Sequence, residues 1–198
     1  MESLGKLFGS QSRVKILRLF FLNPVDVFDV SAVATKSKVR ESDARHELAL
    51  LKSAGVISEK TFTKKIGSKS KRISGYQLKG TYPLLAALKN LIVSDTPLDR
   101  NEVARRIRDT GKIKFLATSG VFLGEPEARL DILIVGDELK KRSIESVLRS
   151  IEAEIGKELT YGALETDDFL YRLGAYDKFV RDVLDFKHDT IIDRIGVE

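Results

Sequence analysis

The residues best suited to chemistry lie in the stretch SGVFLGEPEARLDILIVGD, residues 119–137. Ser119 and Gly120 follow an apolar run, and small residues at such a turn let backbone N–H groups hold a phosphate. Asp131 then begins a second apolar run. Carboxylates two positions apart on a strand point to the same face, where they can hold magnesium ions together. The residue two positions after Asp131 is Leu133, however, and a leucine cannot bind a metal.

The same stretch resembles the active site of nucleotidyltransferases. In that family a Gly-Ser or Ser-Gly turn precedes one acid, a second acid follows two positions later, and a third carboxylate comes from a later strand. The resemblance implies Ser119, Gly120 and Asp131 as a candidate nucleotide-binding set. Leu133 departs from the pattern, and the later strand offers only Glu158, at its start. We therefore expect a scaffold without catalytic residues, bound metal or cofactor, because two-metal chemistry needs several shared oxygen ligands.

Two interpretations of Asp131 remain open. Its carboxylate either accepts hydrogen bonds from the turn at 119–124 and holds the two strands together, or helps to bind a nucleotide or another ligand without turnover. We favour the first. The cations that flank the turn, Lys112, Lys114 and Arg129, either meet phosphates or are solvated strand ends.

The composition excludes several classes of protein. Of the 198 residues, 42% are hydrophobic and 32% charged, a balance typical of a folded protein rather than a disordered one. There is no cysteine, which excludes disulfides and thiolate metal sites and is compatible with a reducing cytoplasm. The two histidines, His46 and His188, lie far apart in sequence, so a histidine metal site is not expected. No apolar run approaches a membrane span, and we expect a cytoplasmic protein without membrane contact.

Charge is distributed unevenly along the chain. Residues 1–95 contain 17 Lys and Arg against 8 Asp and Glu, a net charge of +9, whereas residues 96–198 have a net charge of −4. A basic segment joined to a mildly acidic one predicts that only the first meets a polyanion.

Three helices are predicted in the basic segment. The first, SQSRVKILRLFFLNP, repeats apolar residues at helical spacing after a cap at Ser10 or Ser12, and an Asn-Pro pair ends it. A short helix, AVATK, follows a Val-Ser pair. The third helix, ESDARHELALLKSAG, carries an apolar stripe of Ala44, Leu48 and Leu51, and a glycine stops it.

A basic hairpin is predicted after the third helix. Two β-like runs, residues 56–62 and 73–78, are joined by TKKIGSKSKR, and three helices followed by a hairpin are typical of a winged helix-turn-helix. Between Lys60 and Arg72 there are six basic residues and no acid. An isolated charge run is usually a solvated loop, but a run in this position lies where a wing contacts the DNA backbone and neutralises phosphates. The predicted wing contacts are Lys64, Lys65, Ser68, Lys69, Lys71 and Arg72.

The exposed start of the third helix is expected to read DNA sequence, because the N-terminal part of that helix enters the major groove. Arg45 is suited to pair with guanine, and Ser42 to reach a base or a phosphate. The alternative, equally weighted, is that Arg45 and His46 touch only phosphates or solvent. The predicted DNA contacts of this region are Arg40, Glu41, Ser42, Arg45 and His46, with Ala49 also facing outward.

The segments LFGSQSRVKILRLFFLNP, LKSAGVISEK and GYQLKGTYPLLAALKNLI are similar to a group of prokaryotic winged-helix regulators. In these proteins a nucleotidyltransferase-like domain follows the DNA-binding domain, and the resemblance covers nearly the whole chain. It implies an α+β fold, with a winged helix-turn-helix and a dimerisation or linker helix in residues 1–95. Residues 96–198 would form an α/β nucleotidyltransferase-like domain with a small mixed sheet. The implied partners are double-stranded DNA and a nucleotide or small-molecule effector.

The segment TYPLLAALKNLI, residues 81–92, predicts a helix with a broad apolar face. Packing against the first helix is one interpretation, and a helix shared between two subunits is the other. We favour the second slightly and expect a homodimer. The segment SDTPLD, residues 94–99, predicts a linker in which Pro97 and Asp99 prepare the next helix. Beyond it helices alternate with strands, which indicates an α/β unit around one sheet.

These observations favour a DNA-binding transcriptional regulator whose second half senses a signal or oligomerises. One alternative is an active nucleotidyltransferase that is tethered to DNA or modifies a partner protein, as some toxin–antitoxin nucleotidyltransferases do; Leu133 argues against it. The other alternative is a structural protein that binds DNA without reading sequence. It is favoured if the wing supplies all the affinity.

Overall fold

The computed structural model describes residues 2–94, 98–125 and 128–197. In this part of the chain the architecture is mixed α+β, with helices and two separate small sheets. The chain forms two compact units, Met1–Pro97 with Glu152–Lys157 and Leu98–Ile151 with Glu158–Glu198. The domain boundary predicted between residues 95 and 96 lies outside the described residues, as does Pro97 of the predicted linker.

Four helices open the first unit: α1 Glu2–Leu7, α2 Gln11–Leu22, α3 Val30–Ser37 and α4 Glu41–Ser53. α2 begins after Ser10, whose hydroxyl accepts a hydrogen bond from the Arg13 N–H at 3.1 Å. α3 begins earlier than predicted because Asp29 is its cap, with the carboxylate accepting a hydrogen bond from the Ala32 N–H at 2.7 Å. α4 is followed by Gly55 in the left-handed conformation (φ 76°), as expected for a helix stop.

The hairpin has longer strands and a shorter turn than the sequence predicts. β1 Ile57–Ile66 pairs antiparallel with β2 Lys69–Leu78 along the full length of both strands. Only Gly67 and Ser68 connect them, and Gly67 has the positive φ (62°) that suits a two-residue turn. The prediction of a long basic loop was therefore wrong. Threonine, phenylalanine and isoleucine lie among the lysines of residues 60–73, and these residue types favour a strand.

The core of the first unit joins the helices to the base of the hairpin. The predicted stripe of Ala44, Leu48 and Leu51 on α4 is buried in it. Phe20 of α2 lies edge-to-face against Phe28, with ring centroids 5.8 Å apart. The orientation of α4 thus follows from apolar burial on one side of the helix.

The fifth helix, α5 Leu85–Ser94, starts later than predicted. Two turns precede it, in which the Tyr82 N–H bonds to the Lys79 oxygen and the Leu85 N–H bonds to the Tyr82 oxygen. Ile92 is fully buried in the core, whereas Leu84 and Leu91 are 57% and 46% exposed. The apolar face is therefore divided between the core and the surface.

The second unit is built around a small mixed sheet. Its elements are α6 Arg100–Arg108, β3 Lys112–Thr118, a short 3-10 turn Gly120–Phe122, β4 Ile132–Asp137, α7 Lys141–Ile155, β5 Tyr161–Glu165, α8 Thr166–Gly174, α9 Lys178–Leu184 and β6 Asp189–Asp193. The last residues of α7, from Glu152 onward, belong to the first unit. Asp99 caps α6 through a hydrogen bond from the Glu102 N–H at 2.7 Å. The strand order is β5-β4-β3-β6; β4 is parallel to β5, and β3 is antiparallel to β4 and β6.

Helices α8 and α9 contribute to the core of the second unit. Phe115 of β3 stacks on Phe169 of α8 with ring centroids 5.7 Å apart. Leu133 of β4 and Val180 of α9 are buried in the same cluster. The sheet face that carries Leu133 is therefore packed with apolar side chains. Within the described residues, no helix combines the length and the apolar character that crossing a membrane requires.

Candidate functional site

The outer side of α4 is polar and open to solvent. Glu41, Ser42, Arg45, His46 and Ala49 are all exposed, as the helical period predicts. Arg45 Nη2 lies 3.7 Å from Glu41 Oε2, one turn earlier, which is a weak contact between exposed groups. This side of the helix therefore offers hydroxyl, guanidinium and imidazole groups for hydrogen bonding.

Arg40, immediately before α4, is held by Asp43. Its Nε lies 3.0 Å from Oδ2 and its Nη2 lies 3.2 Å from Oδ1, a bidentate pair. These hydrogen bonds, with the opposite charge, raise the pKa of Arg40 and lower the pKa of Asp43 from their ordinary values. The Arg40 side chain is 83% exposed and is therefore accessible from solvent despite this pair. Its predicted DNA contact stays a prediction.

An ion pair on the inner side of α4 connects it to α2. Glu47 is 5% exposed and accepts a hydrogen bond from Arg13 Nε at 2.7 Å. Arg13 Nη1 also donates to the Phe8 oxygen at 2.8 Å. This pair was not predicted from the sequence, because the partners are 34 residues apart and no local pattern marks a buried acid.

The basic side chains of the hairpin lie on both of its faces. Side chains alternate along a strand, and residues directly opposite each other share a face. In the observed register Lys64 is opposite Lys71, and Arg72 is opposite Thr63. One face carries Lys65 and Arg72; the other carries Lys60, Lys64, Lys69 and Lys71.

Lys64 is bound to an acid at the start of α3. Its Nζ lies 2.6 Å from Asp29 Oδ2, while Oδ1 of the same carboxylate caps the helix. Burial raises the pKa of Asp29, but the hydrogen bonds from Lys64 and the Ala32 N–H, with the Lys64 charge, outweigh it. The pKa of Asp29 therefore lies below its ordinary value. The pair connects the hairpin to α3.

The remaining predicted wing residues are exposed: Lys65, Ser68, Lys69, Lys71 and Arg72. Within residues 2–94, 98–125 and 128–197, none of these four cations forms an ion pair. Lys71 lies directly opposite Lys64, whose charge is already matched by Asp29.

In the second unit, both carboxylate oxygens of Asp131 accept backbone hydrogen bonds. Oδ1 accepts one from the Val121 N–H and Oδ2 one from the Thr160 N–H, each at 2.8 Å. Gly120 has φ 54°, and a Cβ at this position would collide with the Asp131 carboxylate. Ser119, Gly120 and Asp131 thus lie together, and the geometry favours the structural interpretation of Asp131.

Several polar groups of the turn are also engaged inside the unit. The N–H groups of Phe122, Leu123 and Glu125 donate to the Ser119 and Gly120 oxygens at 3.1, 3.1 and 2.8 Å. The Ser119 hydroxyl donates to the oxygen of Leu130. A phosphate held by these groups would have to displace hydrogen bonds of the fold.

Two of the three cations that flank the turn are paired with acids. Lys112 is paired with Glu138, and the hydrogen bond to that carboxylate raises the pKa of Lys112. Arg129 is paired with Asp182. The third cation, Lys114, forms no ion pair in the part of the chain that the structure describes, and its predicted phosphate contact stays a prediction. Among the described residues, no group of three or more His, Cys, Asp or Glu side chains is placed to hold a metal ion.

No protein family model, no curated protein and no solved structure matches this chain.

Proposed function

We propose that this protein is a DNA-binding transcriptional regulator. In this proposal α2, α3, α4 and the β1–β2 hairpin form a winged helix-turn-helix, with α4 as the recognition helix and the hairpin as the wing. The second unit is a nucleotidyltransferase-like domain without catalysis that senses a signal or oligomerises. The observation that carries the proposal is the exposed polar face of α4, followed by a hairpin whose cations outnumber the acids that contact them.

Affinity for DNA is assigned to the hairpin. Lys65, Lys69, Lys71 and Arg72 are exposed and free to neutralise phosphates in a segment whose net charge is +9. Lys64, predicted from the sequence as a phosphate contact, is instead bound to Asp29. We therefore assign Lys64 a positioning role: it holds the wing at a fixed place relative to α3.

Sequence recognition is assigned to α4. Arg45 is the candidate for guanine, whose O6 and N7 match a guanidinium, and Ser42 and His46 provide shorter hydrogen-bonding groups beside it. The ion pair between Glu47 and Arg13 supports this role, because it holds the inner side of α4 against α2 while the outer side chains stay exposed to solvent.

We propose that the second unit does not catalyse nucleotidyl transfer, because of the environments of Asp131 and Leu133. The one acid of the implied pattern accepts backbone hydrogen bonds at both oxygens, and the position of the second acid is a buried leucine. A two-metal centre would need carboxylate oxygens that are free to bind metal.

A homodimer is also proposed. Leu84, in the turn immediately before α5, and Leu91, within α5, are both large apolar side chains that are exposed. A second copy of the chain would cover them. Helix-turn-helix dimers bind paired DNA half-sites whose centres are about 10 base pairs apart, or a multiple of that.

The test is to select bound sequences from random duplex DNA with the full-length protein. The selected site and a scrambled site are then titrated over a range of salt concentrations. We expect the selected site to bind about a thousand-fold tighter or more. Equal affinity for both would favour a structural protein that does not read sequence, and no binding to either would overturn the proposal.

A charge-reduced wing tests where the affinity comes from. Replacing Lys65, Lys69, Lys71 and Arg72 by alanine should weaken binding to both sites and reduce the salt slope by about 0.9 for each phosphate that is no longer neutralised. The matched control removes the same number of exposed cations from the second unit: Arg108, Lys140, Lys141 and Arg142. If the control weakens binding as much as the wing variant, the assignment of the wing is wrong.

A further inference from the structure

A cleft in the second unit has the size of a small-molecule site. Its volume is about 470 Å³, and it lies between residues 128–130, which lead into β4, and α9 with the residues that follow it. Small-molecule sites usually measure roughly 300–1,000 Å³ and combine apolar walls with a few polar groups. We refer to it as the α9 cleft. Its apolar walls are Ala128, Leu130, Val183 and Phe186.

Among the described residues that line the α9 cleft, there is one more cation than there are acids. Arg129 is paired with Asp182, and Lys187 Nζ lies 2.9 Å from Glu125 Oε1. Lys178, the fifth charged residue of the lining, forms no ion pair within the described residues. A ligand with one negative charge would complete the pairing, whereas a polyphosphate would bring more negative charge than this lining balances.

The apolar side of the α9 cleft favours a flat ring. Phe186 is 69% exposed, although it is a large aromatic side chain. An aromatic ligand that packs on Phe186 and Val183 would remove this surface from water. The Arg129 guanidinium already lies over the ring of Phe179, with 5.6 Å between its carbon and the ring centroid, which fixes one wall.

We propose that the α9 cleft binds a small aromatic carboxylate, with the carboxylate at Lys178 and the rings against Leu130, Val183 and Phe186. Ser119 also lines the cleft, but its hydroxyl donates to the Leu130 oxygen and is not needed for the ligand. The site is separate from the Asp131 carboxylate, whose oxygens serve the fold. The proposal goes beyond DNA binding and does not depend on it.

Isotope-labelled full-length protein is titrated with naphthoate, and the amide shifts are followed by NMR. Naphthalenemethanol, which has the same rings and no charge, is the comparison ligand. We expect saturable naphthoate shifts confined to residues 128–130 and 178–187, and affinity at least about five-fold higher than for the alcohol. Absent or scattered shifts, or equal affinity for the two compounds, would overturn the proposal.

Two variants test the charge and the shape of the cleft separately. Lys178→Ala should weaken naphthoate binding at least about five-fold and leave the alcohol unchanged, since it removes only the excess cation. Ala128→Phe should weaken the binding of both compounds because the larger side chain fills part of the cleft. Lys141→Ala, an exposed lysine outside the lining, is the matched control. If Lys178→Ala and Lys141→Ala have the same effect on naphthoate, Lys178 does not bind it and the proposal is wrong.

Discussion

Lys64 and Lys71 are cross-strand partners on one face of the hairpin, yet only Lys64 contacts an acid. Replacing each by methionine should therefore separate positioning from phosphate binding. Lys71→Met is expected to lower the salt slope of DNA binding by about 0.9, the value for one neutralised phosphate. Lys64→Met is expected to weaken DNA binding and leave the salt slope unchanged.

The effect of Lys64→Met on stability follows from the geometry of its ion pair. The Nζ–Oδ2 distance to Asp29 is 2.6 Å, and the side chains of Lys64 and Asp29 are 42% and 17% exposed. Exposed pairs contribute about 0.2–1 kcal/mol, and the partial burial of Asp29 places this one at about 0.5–1 kcal/mol. Asp29→Asn removes the charge and keeps a capping oxygen, so a double-mutant cycle of the two residues isolates this coupling.

The coupling should also depend on pH. Because the pKa of Asp29 is lowered in the folded protein, the pair stabilises the fold above the ordinary carboxyl pKa of about 4. Its contribution is lost as the pH falls through the lowered value. Urea denaturation should therefore show Lys64→Met less stable than the wild type at neutral pH, with the difference disappearing in acid.

The DNA measurement is fluorescence anisotropy with the selected duplex, at salt concentrations from about 50 to about 200 mM. Stability is measured separately, so that a folding defect is not mistaken for weaker phosphate binding. If Lys64→Met reduces the salt slope as much as Lys71→Met, Lys64 binds a phosphate and the positioning role is refuted. A coupling energy of zero with Asp29→Asn would refute it independently.

Three further predictions concern other parts of the first unit. Arg45→Ala should reduce discrimination at one base pair by about 1–3 kcal/mol, measured by competition among single-base variants of the site; equal weakening of all sequences would make Arg45 a phosphate contact. Arg13→Met removes the ion-pair partner of Glu47, which is almost fully buried, and should lower the free energy of unfolding in urea by about 2–4 kcal/mol. This is less than for a fully buried pair because Arg13 is 28% exposed. A decrease below about 1 kcal/mol would contradict that reasoning. Light scattering at micromolar concentration should give a dimer mass, and replacing Leu84 and Leu91 together by glutamate should give a folded monomer; a wild-type monomer with and without DNA would refute the dimer.

Elements defined by one local pattern could be predicted from the sequence. The stripe of Ala44, Leu48 and Leu51 recurs at the helical period, so both the helix and its exposed side were predictable. A serine cap was predictable because a serine before an apolar helical run satisfies an N–H of the first turn; of the two candidates, Ser10 and Ser12, the cap is Ser10. The mixed α+β class was predictable because helix-like and strand-like runs alternate along the chain.

Features that depend on distant partners could not be predicted. The hairpin strands extend through a run of lysines because the two strands pair along their full length, and the partner of each residue is not marked in the run itself. Lys64 resembled its basic neighbours in sequence, and only the fold brings it to Asp29, 35 residues earlier. The α9 cleft likewise needs the approach to β4 and α9 to meet, which no spacing in the sequence indicates.

Leu133 is the residue on which the assignment of the second unit depends. The side chain is 1% exposed and belongs to the same buried cluster as Phe169 and Val180. An acid at this position would be an unpaired charge in an apolar core, which costs several kcal/mol, a large fraction of the roughly 5–15 kcal/mol that stabilises a small domain. Restoring the implied second acid should therefore unfold this unit rather than activate it.

We expect Leu133→Asp to lower the free energy of unfolding by at least about 4 kcal/mol, and magnesium to restore none of it, because both oxygens of Asp131 already accept N–H groups of the fold. Leu133→Met, which keeps the volume, should cost less than about 1.5 kcal/mol and serves as the control. The wild-type protein, incubated with labelled nucleoside triphosphates and magnesium or manganese, should label neither DNA nor protein. A Leu133→Asp variant that folds and is stabilised by magnesium would show that this face of the sheet still accepts a metal. Label transfer by the wild-type protein that Asp131→Asn abolishes would contradict the absence of catalysis. Asp131 would then have to release its backbone partners to act on a nucleotide. An active nucleotidyltransferase would in that case explain the second unit better than a domain that senses a signal or oligomerises.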